Sequence, residues 1–252
     1  MTEIKGNLTE IFSSVQGEGP YLGYRQLFLR FANCNLNCSY CDTNFKELDS
    51  VKIHTIDSQE NLTSIDNPVD IETLFFYIKQ LDKSTKIHHS ISLTGGEPLL
   101  QIEFLKVFLA ENFAKYKYKI YLETNGILFE ELERIVKLVD IISMDIKIPS
   151  STKNTTETWH EHKKFLEILV ENKSSKIEYF TKAIITSDFT EEELYNIVWC
   201  IASSESNASL ILQPEAKNPP SAEKLLYWQE KLLKHIDIVR IIPQTHKILT
   251  IP

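Results

Sequence analysis

Residues 30–43 read Arg30-Phe-Ala-Asn-Cys-Asn-Leu-Asn-Cys-Ser-Tyr-Cys-Asp-Thr43, a C-x3-C-x2-C triplet directly after an apolar, strand-like run. Three of the chain's four cysteines, Cys34, Cys38 and Cys41, thus share one short loop. A closed structural metal site takes four ligands, whereas three thiolates leave one metal position free. A cubane iron–sulfur cluster held this way keeps one iron open for a small molecule. Other uses of cysteine fit less well. Disulfide frameworks belong to small secreted chains dense in cysteine; this one has 252 residues, four cysteines and no signal-peptide pattern. A zinc knuckle needs a fourth ligand. Cys200 lies far away in an apolar helical stretch, 194–202, where a buried thiol is the default. His54, His88 and His89 lack the close spacing of a zinc pair.

Outward from the triplet, apolar strand-like runs alternate with helical patterns. Tyr24 to Phe31 reads as the first strand, with further strands at 89–93, 119–122, 139–144, 177–185, 209–212 and 238–242. Helices are expected over about 71–81, 100–115, 129–138, 158–172 and 221–234, and from Thr190, whose pairing with Glu193 makes a capping box. Repeated β-α order implies parallel strands with crossover helices. About six units are present, fewer than the eight of a closed barrel, so the expected fold is a partial, open, TIM-like (β/α)6 barrel. Residues 45–69 break the rhythm; only 51–56 alternates as a strand would, and the segment reads as a short polar insertion in a single domain spanning 1–252.

Hydrophobic content of 42% and charged content of 25% are those of a globular protein. A net charge of -8 argues against a nucleic-acid partner, because phosphate binding wants a basic surface. No apolar run approaches a membrane span. The expectation is a cytoplasmic protein, a setting that suits an oxygen-sensitive cluster.

Polar residues recur at the carboxyl ends of the strands, where a parallel α/β fold binds ligands. Thr94-Gly-Gly-Glu-Pro98 is either a glycine turn or a close backbone approach to a ligand, with Glu97 able to pair with an ammonium group. Glu123-Thr-Asn-Gly126, Ser143-Met-Asp-Ile-Lys147 and Gln213-Pro214 end later strands, each with a plain turn or ion-pair alternative. Gln16-Gly-Glu-Gly19 is too glycine-rich for a core element, and its backbone can approach a planar heterocycle. Arg30, four residues before Cys34, carries a fork suited to a carboxylate or to a strand-end ion pair.

Taken together, F-S-x-x-Q-G-E-G (12–19), C-N-x-x-C-x-Y-C-D-T (34–43), T-G-G-E-P (94–98), E-T-N-G (123–126), the D-x-K strand end (145–147) and the tail from Gln244 to Pro252 resemble the 7-carboxy-7-deazaguanine synthases. These are radical S-adenosylmethionine (radical SAM) enzymes of queuosine and deazapurine biosynthesis. The motifs span almost the whole chain. The resemblance implies a 4Fe-4S cluster on Cys34, Cys38 and Cys41. It implies a SAM site of Tyr40, Cys41, Asp42, Gly96, Glu97, Asn125, Ser143, Asp145, Lys147 and Gln213. It further implies a substrate site of Val15, Gln16, Gly17, Arg30, Thr94, His246 and Pro252, and magnesium on Thr43, an oxygen ligand of the kind that ion prefers. At the fourth strand end the family commonly carries S-P-K, and Asp145-Ile-Lys147 stands there instead.

The implied reaction is conversion of 6-carboxy-5,6,7,8-tetrahydropterin to 7-carboxy-7-deazaguanine with loss of ammonia, started by reductive cleavage of SAM. An external one-electron donor of the flavodoxin kind and a homodimer are implied with it. Two rivals remain at this point. A glycyl-radical-enzyme activase shares the triplet and G-G-E-P but leaves Gln16-Gly-Glu-Gly19 and the tail unexplained. A non-enzymatic iron–sulfur protein leaves the strand-end polar residues without a role.

Overall fold

The computed structural model describes residues 4–41, 43, 49–54, 62–83, 87–153, 157–172 and 176–249. In chain order the elements are β1 (Lys5–Gly6), β2 (Leu8–Val15), β3 (Arg25–Phe31), β4 (Ser50–His54), β5 (Leu62–Asp66), β6 (Val69–Asp70), α1 (Ile71–Leu81), β7 (Ser90–Gly95), α2 (Ile102–Glu111), β8 (Ile120–Thr124), α3 (Phe129–Glu133), β9 (Ile141–Asp145), α4 (Pro149–Thr152), α5 (Trp159–Glu171), β10 (Glu178–Ile185), α6 (Glu191–Ser203), β11 (Ser209–Pro214), α7 (Ala222–Leu232), β12 (Val239–Ile241) and α8 (Thr245–Leu249).

Ten strands form one sheet in the order β12-β11-β10-β9-β8-β7-β3-β2-β4-β5. From β3 to β12 every neighbouring pair is parallel, as the β-α alternation requires. The ladder ends at β12 on one side and β5 on the other, so it is the open form of the barrel architecture. β2 was not legible as a strand. It runs antiparallel to β3 and parallel to β4, which in turn pairs antiparallel with β5. Part of the segment set apart as an insertion therefore extends the sheet. No helix among the described residues is long and apolar enough to cross a membrane.

Side chains alternate between the two faces of each strand. One set, including Leu27, Leu29, Phe31, Leu93, Leu122, Ile142, Leu210 and Leu212, joins the main core together with Leu74, Ile78, Phe104 and Phe108 from the crossover helices. The opposite set builds a smaller cluster of Tyr121, Ile141, Phe180, Ile211 and Ile242, with Tyr21 packed against it. Two residues further along these same strands the apolar side chains give way to Glu123, Ser143, Lys182 and Gln213. One sheet face is thus apolar toward the strand starts and polar toward the strand ends. Register aligns the polar ends in rows: Arg30 beside Thr94, Glu123 beside Ser143, Asp145 beside Lys182.

The helix signals fall where local chemistry put them. Asp70 caps α1 by accepting from the Thr73 amide at 2.7 Å. Thr190 and Glu193 form the expected reciprocal capping box. Cys200 is buried in α6 with its thiol 3.3 Å from the Trp159 carbonyl, a core residue remote from the triplet.

Candidate active site

Two adjoining cavities open at the strand ends. The larger, about 650 Å³, is lined by Val15, Gln16, Gly17, Arg30, Thr94 and His246, all the described members of the expected substrate set, together with Thr43. The smaller, about 120 Å³, is lined by Cys34, Cys38, Cys41, Gly96, Asn125 and Ser143. Tyr40, Cys41, Thr94, Asp145 and Lys147 line both. Asp42 and Pro252 lie outside the described residues.

The cysteine loop is fixed from two sides. The Ser39 amide and hydroxyl donate to the Thr152 and Ser151 carbonyls at 2.9 and 2.8 Å, tying it to α4. On the other side the Gly96 and Glu97 amides donate to the Phe31 and Asn33 carbonyls at 3.0 and 2.8 Å. Asn125 Nδ2 reaches the Asn35 side chain at 2.7 Å, so the end of β8 also holds the loop. Among the described residues no three His, Cys, Asp or Glu side chains gather tightly enough to hold a single metal ion. Cys34, Cys38 and Cys41 nonetheless line one small cavity together, a three-thiol donor set whose chemistry fits an iron–sulfur cluster.

A chain of charges forms the wall between the cavities. Lys147 Nζ donates to Asp145 Oδ2 at 2.6 Å and to the Tyr40 hydroxyl at 3.2 Å. Lys182 stands 4.0 Å from the same Asp145 oxygen and pairs directly with Glu18. Gln244 Nε2 donates to Glu18 at 2.6 Å, and the Thr245 amide donates to the Gly17 carbonyl at 2.9 Å. The tail is therefore docked on the 16–18 loop. Gly17 permits this approach, since a Cβ there would lie 2.3 Å from the His246 ring. Glu123 accepts from Gln16 Nε2 at 2.7 Å and Thr94 Oγ1 at 3.1 Å, and burial pushes its carboxyl up. Arg30 Nε donates to Glu10 at 2.9 Å, so the ion-pair reading of Arg30 holds; its other branch reaches Thr43 Oγ1 at 3.4 Å.

Of the described members of the expected SAM set, two, Gln213 and Glu97, line neither cavity. Gln213 is fully buried on β11, and neither its Oε1 nor its Nε2 finds a partner among the described residues. Asp145 Oδ1 is likewise buried and unpartnered. The orphaned oxygen of Asp145, a residue lining both cavities, fits a polar ligand such as the ribose hydroxyls or ammonium group of SAM, whereas Gln213 lies behind the cavity surface. Glu97 is different. It is 0% exposed and accepts from Thr124 Oγ1 at 2.9 Å, the Asn125 amide at 2.8 Å and the Leu99 amide at 3.0 Å. It therefore locks the end of β8 to the start of the following helix.

Burial pushes the Glu97 carboxyl up to about 7, against the pull of those three hydrogen bonds. An unfolded glutamate ionises near 4.3, so between that pH and 7 the folded chain holds a proton that the unfolded chain releases. The unfolded state then binds fewer protons, and stability falls as pH rises. The cofactor-free chain is expected to lose about 3 kcal/mol between pH 4.5 and 8 through this group. Urea unfolding across that range measures it. In Glu97→Leu this part of the pH slope should vanish; an unchanged slope would assign it elsewhere.

His162, on α5, escaped the sequence reading. Its Nδ1–H donates to the Gly126 carbonyl at 3.0 Å and its Nε2 accepts the Lys147 amide at 2.9 Å, clamping two strand ends together. Burial lowers it to about 4, so the ring is neutral as this pattern requires. Glu10, Lys52 and Lys182, charges within strand-like runs, were also missed, whereas Glu18, Glu123 and Gln244 stood in quoted motifs without an assigned role.

Residues 29–198 match the Radical SAM superfamily, which sets the class of protein. The 7-carboxy-7-deazaguanine synthase of Geobacter sulfurreducens is 36% identical over 255 residues, covering 99% of each chain. That of Archaeoglobus fulgidus is 35% identical over 247 residues, covering 98% of this chain and 99% of its own. Within the superfamily, the chain belongs to the 7-carboxy-7-deazaguanine synthase family. Among solved structures, QueE from Escherichia coli shares the fold with a TM-score of 0.61, at 16% identity over 96% of this chain and 95% of that one. The structure of anSMEcpe with bound AdoMet gives 0.52, at 18% identity over 81% of this chain and 55% of that one. Radical SAM membership implies a 4Fe-4S cluster and SAM.

Proposed function

We propose that the protein converts 6-carboxy-5,6,7,8-tetrahydropterin to 7-carboxy-7-deazaguanine with loss of ammonia, as one radical SAM domain. The observation that carries this reading is the pair of joined cavities, with the cysteine triplet on one and Val15, Gln16, Gly17, Arg30, Thr94 and His246 on the other. When bound, the cluster and SAM supply one-electron cleavage of a sulfonium and hydrogen abstraction from the substrate. Cys34, Cys38 and Cys41 would hold the cluster. Tyr40, Asp42, Gly96, Asn125, Ser143, Asp145, Lys147 and Gln213 would hold SAM, with Glu97 supporting the Asn125 backbone from behind.

The substrate would lie in the larger cavity. Glu123 and Gln16 offer an acceptor and a donor already joined to each other, suited to the ring edge of a pterin. Arg30 offers a guanidinium to the substrate carboxylate, beside Thr43 as a magnesium ligand. The tail, through Gln244 and His246, would border the bound substrate and help exclude water. A flavodoxin-like electron donor, a homodimer and a cytoplasmic location complete the reading.

The test is anaerobic reconstitution with SAM, dithionite, magnesium and the carboxylated pterin. The deazaguanine product is expected. 5'-Deoxyadenosine without product would move the chemistry to another substrate, such as the glycine residue that an activase attacks; absence of both would remove the enzyme reading. Thr43→Ala should shift half-saturation by magnesium upward about tenfold with the cluster spectrum intact, the effect of losing one oxygen ligand. Loss of the cluster in that variant would contradict the magnesium role.

A further inference from the structure

Lys52 lies on β4, in the segment that the sequence set apart as an insertion. Val51 and Ile53 on either side of it are buried in the main core, so strand alternation turns Lys52 to the opposite face, where it lines the larger cavity. Its parallel neighbour across the ladder is Glu10. That carboxylate is already committed: Oε2 accepts from Arg30 Nε at 2.9 Å and Oε1 faces His54 Nε2 at 3.3 Å.

Three other lysines line the same cavity, Lys147, Lys182 and Lys247, and each has a partner. Lys147 is paired with Asp145, and Lys182 with Glu18. Arg30 is offset by Glu10. Lys52 makes no ion pair or hydrogen bond with any described residue. It therefore brings to the cavity that also holds Arg30 and Thr43 an ammonium group that no described side chain engages directly.

We propose that Lys52 is a specificity-determining residue that binds and steers the carboxylate of the substrate, making β4 part of the substrate site. This rests on the carboxylated substrate proposed above. A long flexible lysine at an open rim suits capture of a carboxylate, while the partly neutralised Arg30 orients it. The charge matters to binding rather than to the chemical step, so it should move KM far more than kcat.

Lys52→Ala, Lys52→Glu and Lys52→Arg are to be assayed by steady-state turnover of the carboxylated pterin at several salt concentrations, with the cluster spectrum recorded for each. Lys52→Ala should raise KM about tenfold, Lys52→Glu further, and Lys52→Arg should stay near the parent protein. The decline of kcat/KM with added salt should flatten in Lys52→Ala. Product formed by the parent protein with KM and salt dependence unchanged in Lys52→Ala and Lys52→Glu would overturn the role of Lys52 alone. No product from the parent protein would overturn the substrate reading, and this role with it. A fall in kcat at constant KM would make Lys52 structural and also overturn the proposal.

Discussion

Lys182→Met should destabilise the folded chain by about 3–5 kcal/mol at pH 7–8, the cost of leaving a buried carboxylate without its partner. For a chain of this size that is a fall in Tm of about 6–20 °C. Lys182 is 7% exposed, and its ammonium pairs with Glu18 and stands 4.0 Å from Asp145. Asp145 keeps Lys147 at 2.6 Å when Lys182 is gone. Among the described residues Glu18 keeps the Gln244 amide and the nearby His246, and would lose the main counter-charge that offsets its burial.

The pH dependence separates lost charge from lost packing. Burial raises Glu18, but the Lys182 charge and hydrogen bond, with that of Gln244, hold it lower still, at about 2. A carboxylate depressed below its unfolded value stabilises the fold above about pH 4.3, and that contribution fades as pH falls toward 2. Without Lys182, burial, the largest influence on Glu18, outweighs what Gln244 and His246 still supply and the sign reverses: Glu18 becomes a penalty above pH 4.3 that vanishes once it is protonated. The difference between variant and parent should therefore be large at pH 8 and shrink toward pH 4.5. A difference constant over that range would assign the loss to packing of the lysine stem. Because Glu18 also anchors Gln244, the variant should loosen the tail, seen as faster amide exchange in α8.

The legible parts of this molecule were local ones. The bounds of α1, the Thr190 capping box and most parallel strands follow from periodicity and caps within a few residues of each other. β2 was not legible because Leu8–Val15 lies between β3 and β4 and is covered on both faces, so it shows no clean apolar-polar alternation. Its Val15 and the following Gln16, expected at the substrate site, line the larger cavity from a strand end and the turn after it. Lys182 and Glu18 are 164 residues apart, and only strand register joins them. A lysine between Thr181 and Ala183 in an otherwise apolar parallel strand was nonetheless a signal, because such a charge must find a buried partner. For Glu97 the residue was right and its surroundings were not visible. Three donors from β8 and the helix start converge on it, which no spacing rule within T-G-G-E-P contains.

Gly95→Ala should cost about 4 kcal/mol or more and abolish ordered packing of the cysteine loop. Two separate effects add. Gly95 has φ of +116°, a conformation that an L side chain resists. A Cβ there would also stand 2.5 Å from both the nitrogen and the oxygen of Phe31. Backbone atoms cannot rotate away as a side chain can, so β3 and β7 must part at the rung where Phe31 faces Gly95. That rung carries the Gly96-to-Phe31 and Glu97-to-Asn33 hydrogen bonds that seat the loop before Cys34. Gly23→Ala isolates the first effect: its φ is +89° but nothing lies within 4 Å of the added carbon. It should cost only about 1 kcal/mol. Urea denaturation of the two variants, with cluster incorporation read by absorbance, compares them directly. Equal losses would mean that the dihedral alone explains Gly95; a much larger loss at Gly95, with poor cluster uptake, would place the first glycine of T-G-G-E-P in service of the backbone beneath the triplet.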